Sequence, residues 1–194
     1  MNRTFWALVL AGLMSCTGGV MAGTYQVDPL HSTVGFSIRH LAINEVIGLF
    51  TNFTGTIEYD AGKPESSKAS GTVKVASIDT RIEARDKHLR GPDFFEEDKY
   101  PDIRYETVSA KKVGDEWVVK GQFTMRGITR EIDLKGTLSG PVKDPWGKTR
   151  IGLTAATTIN RQDYGLKWSQ KLDSGGLVLG DLVKIELHLE AVAP

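Results

Sequence analysis

Residues 28–41 read DPLHSTVGFSIRHL, and the centre of this stretch alternates between apolar and polar side chains. Val34, Phe36 and Ile38 share one face, whereas the residues between them are small, polar or charged. Large apolar side chains two residues apart are typical of a β-strand with one buried face. Because a lone strand cannot bury that face, the rest of the chain must supply further strands.

The N-terminal segment has the features of a secretory signal. Arg3 gives a basic start, an apolar run follows from Phe5 to Met14, and small residues precede a cleavage site after Ala22. The apolar run is too short for a permanent transmembrane helix. We therefore expect a signal peptide over residues 1–22 and one folded domain over residues 23–194. The mature protein should be periplasmic and should have no stable membrane insertion.

Charge and cysteine content exclude several classes of function. The chain has 24 basic and 24 acidic residues, whereas nucleic-acid binding needs clustered Lys and Arg, so we expect no nucleic-acid partner. The only cysteine, Cys16, lies in the predicted signal peptide, so the mature domain has no disulfide and no thiolate ligand. Residues 13–16 loosely resemble a lipoprotein cleavage site, but Met14 is unusual there. This favours soluble export over a lipid anchor.

The mature sequence predicts an all-β protein. The expected strands cover residues 32–40, 49–59, 70–78, 102–110, 116–124, 128–139, 149–160 and 181–192. One helix is expected from Thr80 to Arg90, with Thr80 as N-cap and Glu83 completing a capping box. Closing the sheet removes its exposed edges. We therefore predict an eight-stranded antiparallel barrel with one short helix near its mouth.

Each predicted strand has an apolar and a polar or charged face. Apolar residues that face inward give a soluble barrel, and the opposite orientation gives an outer-membrane barrel. The first is favoured because many charges would crowd the narrow lumen of an eight-stranded barrel. Glycines within strands form barrel corners, leave room for a ligand, or do both. These glycines are Gly35, Gly55, Gly121, Gly136 and Gly152.

The pattern D-P-L-H-S-x-V-x-F-x-I-x-H-L over residues 28–41 resembles the opening motif of the YceI-like proteins, a family of exported bacterial lipid-binding proteins. The likeness continues in order through the mature chain. Its segments are Val46 with Gly48 and Phe50, Gly55–Ile57, Ser77–Thr80, Arg85–Arg90, Phe94–Phe95, Tyr100–Ile103, Gly121–Gly127 and Asn160–Gly165. The resemblance implies a lipocalin-like barrel whose apolar tunnel holds a long isoprenoid chain, such as a polyprenyl lipid or a quinone, or a similar amphiphile. It implies no cofactor, no metal and no established reaction.

Two groups of residues are candidates for such a site. The predicted tunnel residues are Val34, Phe36, Ile38, His40, Ile57, Val73, Val75, Tyr105, Phe123 and Leu153. The predicted residues at the mouth are Arg85, Asp86, His88, Arg161 and Asp163. An Arg beside a carboxylate can be held rigid and still donate to a head-group oxygen. The favoured alternative is that these charges form salt bridges that pin the helix across the barrel end.

Enzymatic motifs are weak in this sequence. Asp173-Ser174-Gly175-Gly176 resembles the nucleophile segment of trypsin-like proteases, but Leu172 precedes it and no matching base segment occurs. The chain has no phosphate-binding loop or H-E-x-x-H motif, and its histidines are scattered. We predict binding, transport or storage of a long-chain amphiphile rather than catalysis. A hydrolase using Ser174 or the mouth histidines, an outer-membrane barrel and a homodimer stay open as alternatives.

Overall fold

A computed structural model describes residues 22–173 and 176–194. Its strands are β1 Gly23–Val27, β2 Thr33–His40, β3 Asn44–Phe50, β4 Phe53–Tyr59, β5 Lys68–Lys74, β6 Ile78–Asp79, β7 Asp102–Val113, β8 Glu116–Met125, β9 Ile128–Lys143, β10 Thr149–Asn160 and β11 Leu179–Val192. The helix α1 covers Glu83–Arg90. Residues 1–21 of the predicted signal peptide, and Ser174, lie outside the described residues.

Eight strands close into an antiparallel barrel in the order β1-β4-β5-β7-β8-β9-β10-β11. The ring closes because β11 also pairs with β1, with Gln26 opposite Val192 and Val27 opposite Ala191. Beyond this ring, β11 continues into the pairs β11–β2, β2–β3 and β3–β6. The predicted eight-stranded antiparallel barrel with one helix is therefore confirmed.

Several strands are shorter than the sequence predicts because the chain breaks them. β1 and β2 pair along the same edge of β11, separated by a 3₁₀ turn at Pro29–His31. Asp28 caps this turn by accepting a hydrogen bond from the Leu30 N–H at 3.1 Å. Residues 49–59 contain parts of two strands, and residues 70–78 contain a 3₁₀ turn at Val75–Ser77. Strand β1 was not predicted, and the predictions of one continuous strand over residues 49–59 and another over residues 70–78 were wrong.

The helix begins at Glu83, later than predicted, and Thr80 is not its N-cap. The backbone N–H and the hydroxyl of Thr80 instead donate to Asp86 Oδ1, at 2.9 and 2.5 Å. A carboxylate inside the helix thus reaches back to the preceding segment, and the capping-box prediction is wrong. α1 lies against β6, at the barrel end opposite the β1–β11 closure. None of the helices in residues 22–173 and 176–194 has the length and hydropathy of a transmembrane helix.

The inner face of the barrel is apolar, as predicted, and its buried side chains form two clusters. The upper cluster, near α1, comprises Phe50, Val75, Ile78, Phe94, Phe95, Ile103, Phe123, Met125, Ile159, Tyr164 and Leu166. The closed-end cluster comprises Tyr25, Ile57, Ile151 and Ala191. Charged residues such as Lys184 and Glu186 pair on the outer face. Apolar packing therefore seals one end, while the other end is covered by α1 and the loops beside it.

Candidate functional site

A cavity of about 350 Å³, here called the lumen, extends inside the barrel from α1 toward the closed-end cluster. This volume falls in the usual range of small-molecule sites. The wall is overwhelmingly apolar. Its members include Val34, Phe36, Ile38, Phe50, Ile57, Val73, Ile103, Tyr105, Phe123, Met125, Ile132, Leu134, Leu153, Ile159, Val183, Ile185, Leu187 and Leu189.

Many of these inward-facing side chains are only half-buried, although they lie inside a closed sheet. Val34, Phe36, Val183 and Ile185 all belong to this class. In a close-packed interior such residues would touch neighbours on every side. Because their alternation points them at the lumen, their exposed surface faces empty space. The barrel therefore does not fill its interior with its own side chains.

Two aromatic rings lie against the wall because a glycine stands beside each of them. A Cβ atom on Gly48 would lie 2.3 Å from Phe36 Cζ, and one on Gly121 would lie 2.3 Å from Tyr105 Cζ. The Tyr105 hydroxyl donates to the carbonyl oxygen of Val119 at 3.0 Å. Burial raises the pKa of Tyr105 to about 12, so this hydroxyl stays a neutral donor. Gly121 thus leaves room for the Tyr105 ring, and clearance for a ligand at the strand glycines stays a prediction.

The predicted tunnel residues converge on this lumen with one exception. Val34, Phe36, Ile38, His40, Ile57, Val73, Tyr105, Phe123 and Leu153 all lie in its wall. Val75 does not, because it starts a 3₁₀ turn and is only 1% exposed within the upper cluster. Contact between the wall residues and a ligand stays a prediction.

Sequence reasoning missed the residues of α1 and of the adjoining loops that cover the end of the lumen near α1. Leu89, Phe94, Phe95, Leu166 and Trp168 all belong to the wall. The Phe94 and Trp168 ring centroids lie 5.4 Å apart, and the His88 ring meets Phe94 edge-on at 5.0 Å. Strand periodicity cannot find such residues, because they lie in the helix and in loops. The available signal was large apolar residues within polar loop segments.

Arg161 is a structural residue at this end of the barrel. It is 1% exposed and donates to the carbonyl oxygens of Gly180, Leu166 and Trp168 at 2.8, 2.5 and 2.8 Å. Its ionic partner is Asp181, at 3.1 Å. Burial lowers the pKa of the Arg161 guanidinium, and Asp181 opposes this shift. Arg161 thus ties the loop at Leu166 and Trp168 and the start of β11 to the end of β10.

The predicted ionic pairs at the mouth do not form in the described structure. Asp163 is exposed and outside the lumen wall, and its backbone carbonyl accepts from Arg130 Nε at 3.0 Å. Asp86 is buried on Thr80 rather than paired with Arg85. The expected salt bridges were wrong because Asp86 accepts hydrogen bonds from Thr80, and Arg161 pairs with Asp181.

Arg85 is held in place and keeps free donors. Its Nε donates to Thr80 Oγ1 at 2.7 Å, and its Nη2 donates to the Thr80 carbonyl oxygen at 2.6 Å. Its Nη1 makes no hydrogen bond to any described residue, and the side chain borders the lumen. His88 also borders the lumen but is 46% exposed and binds Asp93 at 2.9 Å. The geometry therefore lets Arg85 donate toward a group at the α1 end of the lumen.

Comparison with known proteins gives the family. The family model described as the YceI-like domain matches residues 25–191. The chain belongs to the YceI-like family. A relative, the UPF0312 protein of Pseudomonas putida, is 39% identical over 180 residues, which cover 89% of this chain and 94% of the relative.

Two solved structures share the fold of this YceI-like chain. BcnA from Burkholderia cenocepacia superposes with a TM-score of 0.75 at 21% identity, over 84% of this chain and 98% of BcnA. A polyisoprenoid binding domain from Saccharophagus degradans, implicated in plant cell wall breakdown, gives a TM-score of 0.64 at 18% identity. That match covers 88% of this chain and 98% of the domain.

The closed end of this YceI-like barrel carries an ionic cluster. Arg150 pairs with Asp28 at 3.1 Å, with Asp144 at 2.8 Å and also with Glu190. His31 joins the cluster through Asp28, at 2.9 Å. Asp28, His31 and Glu190 lie close enough to share a cation, but the guanidinium of Arg150 already supplies positive charge to both carboxylates. This arrangement fastens the β1–β11 closure.

Proposed function

We propose that this protein binds a long-chain amphiphile, such as a polyisoprenoid lipid or an isoprenoid quinone, with the chain inside the lumen. The observation that carries the proposal is a closed barrel in which many inward-facing apolar side chains are only half-buried around a cavity. Burial of hydrocarbon contributes ~0.8 kcal/mol for each methylene group, so a long chain binds tightly without hydrogen bonds. The polyisoprenoid binding described for the Saccharophagus degradans domain supports this ligand class.

The head group is proposed to lie at the α1 end, near Arg85. The Nη1 of this residue is free of described partners, and two bonds to Thr80 fix the guanidinium. A fixed guanidinium can donate to a phosphate, hydroxyl or quinone oxygen. Arg161 has no such role in the proposal, because carbonyl oxygens and Asp181 occupy all three of its nitrogens.

Transport or storage in the periplasm is proposed in preference to catalysis. The predicted cleavage after Ala22 supports export of the domain that follows. His40 and His88 are the histidines that border the lumen. Among the described residues, neither is hydrogen-bonded to a serine, threonine or cysteine, so the known geometry offers no activated nucleophile there.

Native mass spectrometry of protein released from its own host by osmotic shock tests this proposal. We expect a soluble protein with a co-purifying lipid, and titration of the delipidated protein with solanesol, a long isoprenoid alcohol, should show saturable binding. Recovery only from detergent-extracted membranes would contradict the periplasmic assignment. A protein without bound lipid that also fails to bind solanesol would contradict the lipid-binding assignment.

A pair of variants, each with one new carboxylate, tests whether the lumen is the binding site. Phe36→Asp places a carboxylate among apolar side chains, where an unpaired charge is strongly disfavoured, so lipid binding and stability should both fall. His188→Asp adds the same group on the exposed outer face of β11 and should leave both nearly unchanged. Equal binding by the two variants would show that the lumen is not the site.

A further inference from the structure

We infer that the Gly121–Tyr105 pair sets the length of hydrocarbon chain that the lumen accepts, because Gly121 leaves the space in which the Tyr105 ring lies against the wall. This inference rests on the proposed lipid-binding function and adds a specificity determinant to it. An added Cβ at Gly121 would lie 2.3 to 2.5 Å from three atoms at the far end of the Tyr105 side chain. The ring would have to move, and it can turn about its side-chain bonds.

The displaced ring would have only the lumen to enter. Tyr105 already borders the lumen, and its hydroxyl is tied to the β8 backbone at Val119. The wall beside it is a hydrogen-bonded ladder, in which Tyr105 is opposite Phe123 on one side and Gly71 on the other. A methyl group at Gly121 would therefore break the bond to Val119 and place an aromatic ring across the path of a bound chain.

The pair lies on the side of the upper cluster that is nearer to the closed end, since Tyr105 itself packs against the upper cluster. On β5, Val73 packs against the upper cluster, whereas Ala69 packs against the closed-end cluster. Gly71, the partner of Tyr105, lies between these two positions and is itself paired with Gly55. At this level two paired positions on the adjacent strands β4 and β5 thus carry no side chain, and Tyr105 on β7 supplies the neighbouring large one. A chain that enters from the α1 end passes Tyr105 only if it is long.

The second aromatic ring that packs on a glycine, Phe36 on Gly48, lies at the α1 end of the lumen, and its displacement should have a different effect on ligand binding. Gly48 holds Phe36 flat, and a Cβ at Gly48 would also lie 3.0 Å from Thr80 Cγ2. Because Thr80 anchors Arg85, this pair borders the region of the proposed head group. Displacement of Phe36 should therefore weaken short and long ligands alike.

The test titrates the delipidated full-length mature protein with two isoprenoid alcohols, the short farnesol and the long solanesol. Gly121→Ala should weaken solanesol binding by about tenfold or more, which corresponds to about two methylene groups losing their burial. Farnesol binding should change by less than about twofold. Gly152→Ala is the matched control, since Gly152 lies outside the lumen wall, and its added methyl group meets only Ser139 Cβ, at 3.9 Å, and displaces no ring.

Substitutions of Tyr105 test whether the effect of Gly121→Ala on binding acts through the displaced ring. Adding Tyr105→Leu to Gly121→Ala should restore solanesol affinity, because the displaced ring is gone. Should Gly121→Ala fail to fold, Tyr105→Trp enlarges the ring at the same place and should selectively weaken solanesol. Equal loss of both alcohols, no loss of either, or failure of Tyr105→Leu to restore affinity would overturn the inference. Wild-type protein that binds neither alcohol would instead overturn the proposed function.

Discussion

Ile151 and Ile185 are inward-facing isoleucines on the adjacent strands β10 and β11, yet their surroundings differ. Ile151 is 1% exposed and packs in the closed-end cluster, whereas Ile185 is half-buried and borders the lumen. At the closed end, the large side chain of Tyr25 crosses into the interior and is itself buried. In the hollow part, the paired Gly55 and Gly71 contribute no side chain to the lumen wall. Strand alternation thus decides which side chains point inward, and residue size decides whether they meet.

The largest expected effect comes from removing Ile151. Ile151→Ala should lower the free energy of unfolding by about 2–5 kcal/mol, since it opens a cavity in a packed cluster. Ile185→Ala should cost clearly less, because the space next to it is already empty, and should instead weaken lipid binding. Urea unfolding of both delipidated variants measures the difference. Equal costs would show that the barrel is packed throughout.

An intermediate effect is expected at Leu153, which borders the lumen and also packs against the closed-end cluster. Leu153→Trp should fold and bind only shorter chains, because the indole can extend into the lumen. A filled core would resist the ring, and overpacking usually costs about 1–3 kcal/mol. Leu153→Met is the volume-matched control and should cost less than about 1.5 kcal/mol. Thermal melting of delipidated protein together with lipid titration distinguishes these cases, and a Trp variant that unfolds would place Leu153 in solid core.

The smallest expected effect is on pH dependence at the closed end. Hydrogen bonds from His31 and then Arg150 lower the pKa of Asp28 from 3.8 to about 2. Since the folded-state pKa lies below the unfolded value, the stabilisation is present above pH 3.8 and is lost as the pH falls toward 2. Asp28→Asn should remove this part of the acid sensitivity, whereas Asp163→Asn, on an exposed residue, should not. The melting temperature as a function of pH measures it, and identical acid profiles for wild type and Asp28→Asn would refute the assignment.

The sequence predicts the parts of this molecule that follow a period of two. Val34, Phe36 and Ile38 were placed correctly on the inner face, because strand alternation is local and regular. The breaks in the wall were missed because they depend on turns such as Pro29–His31, within an otherwise strand-like pattern. The alternation of apolar and polar residues alone does not predict where such turns interrupt the strands.

The candidate site was predicted less completely than the barrel. Arg161 was predicted to join salt bridges with the other charged mouth residues, but the fold brings Asp181 to it instead. Trp168 closes the lumen from a loop, where no periodic signal exists. Such long-range choices depend on how the loops pack across the barrel end, so composition and spacing cannot supply them.

The pairing of Gln26 with Val192 has a consequence for the order of folding. This contact joins the beginning of the domain to its end, so the loop that must close spans nearly the whole chain. β7 to β10 can pair with their sequence neighbours as soon as they are made, whereas the ring stays open until β11 is available. Topologies with such distant partners fold slowly, and barrel closure should be the late step. A hydrophobic ligand present at that moment would be enclosed as the seam forms, without having to pass α1 and the loops that cover the other end of the barrel.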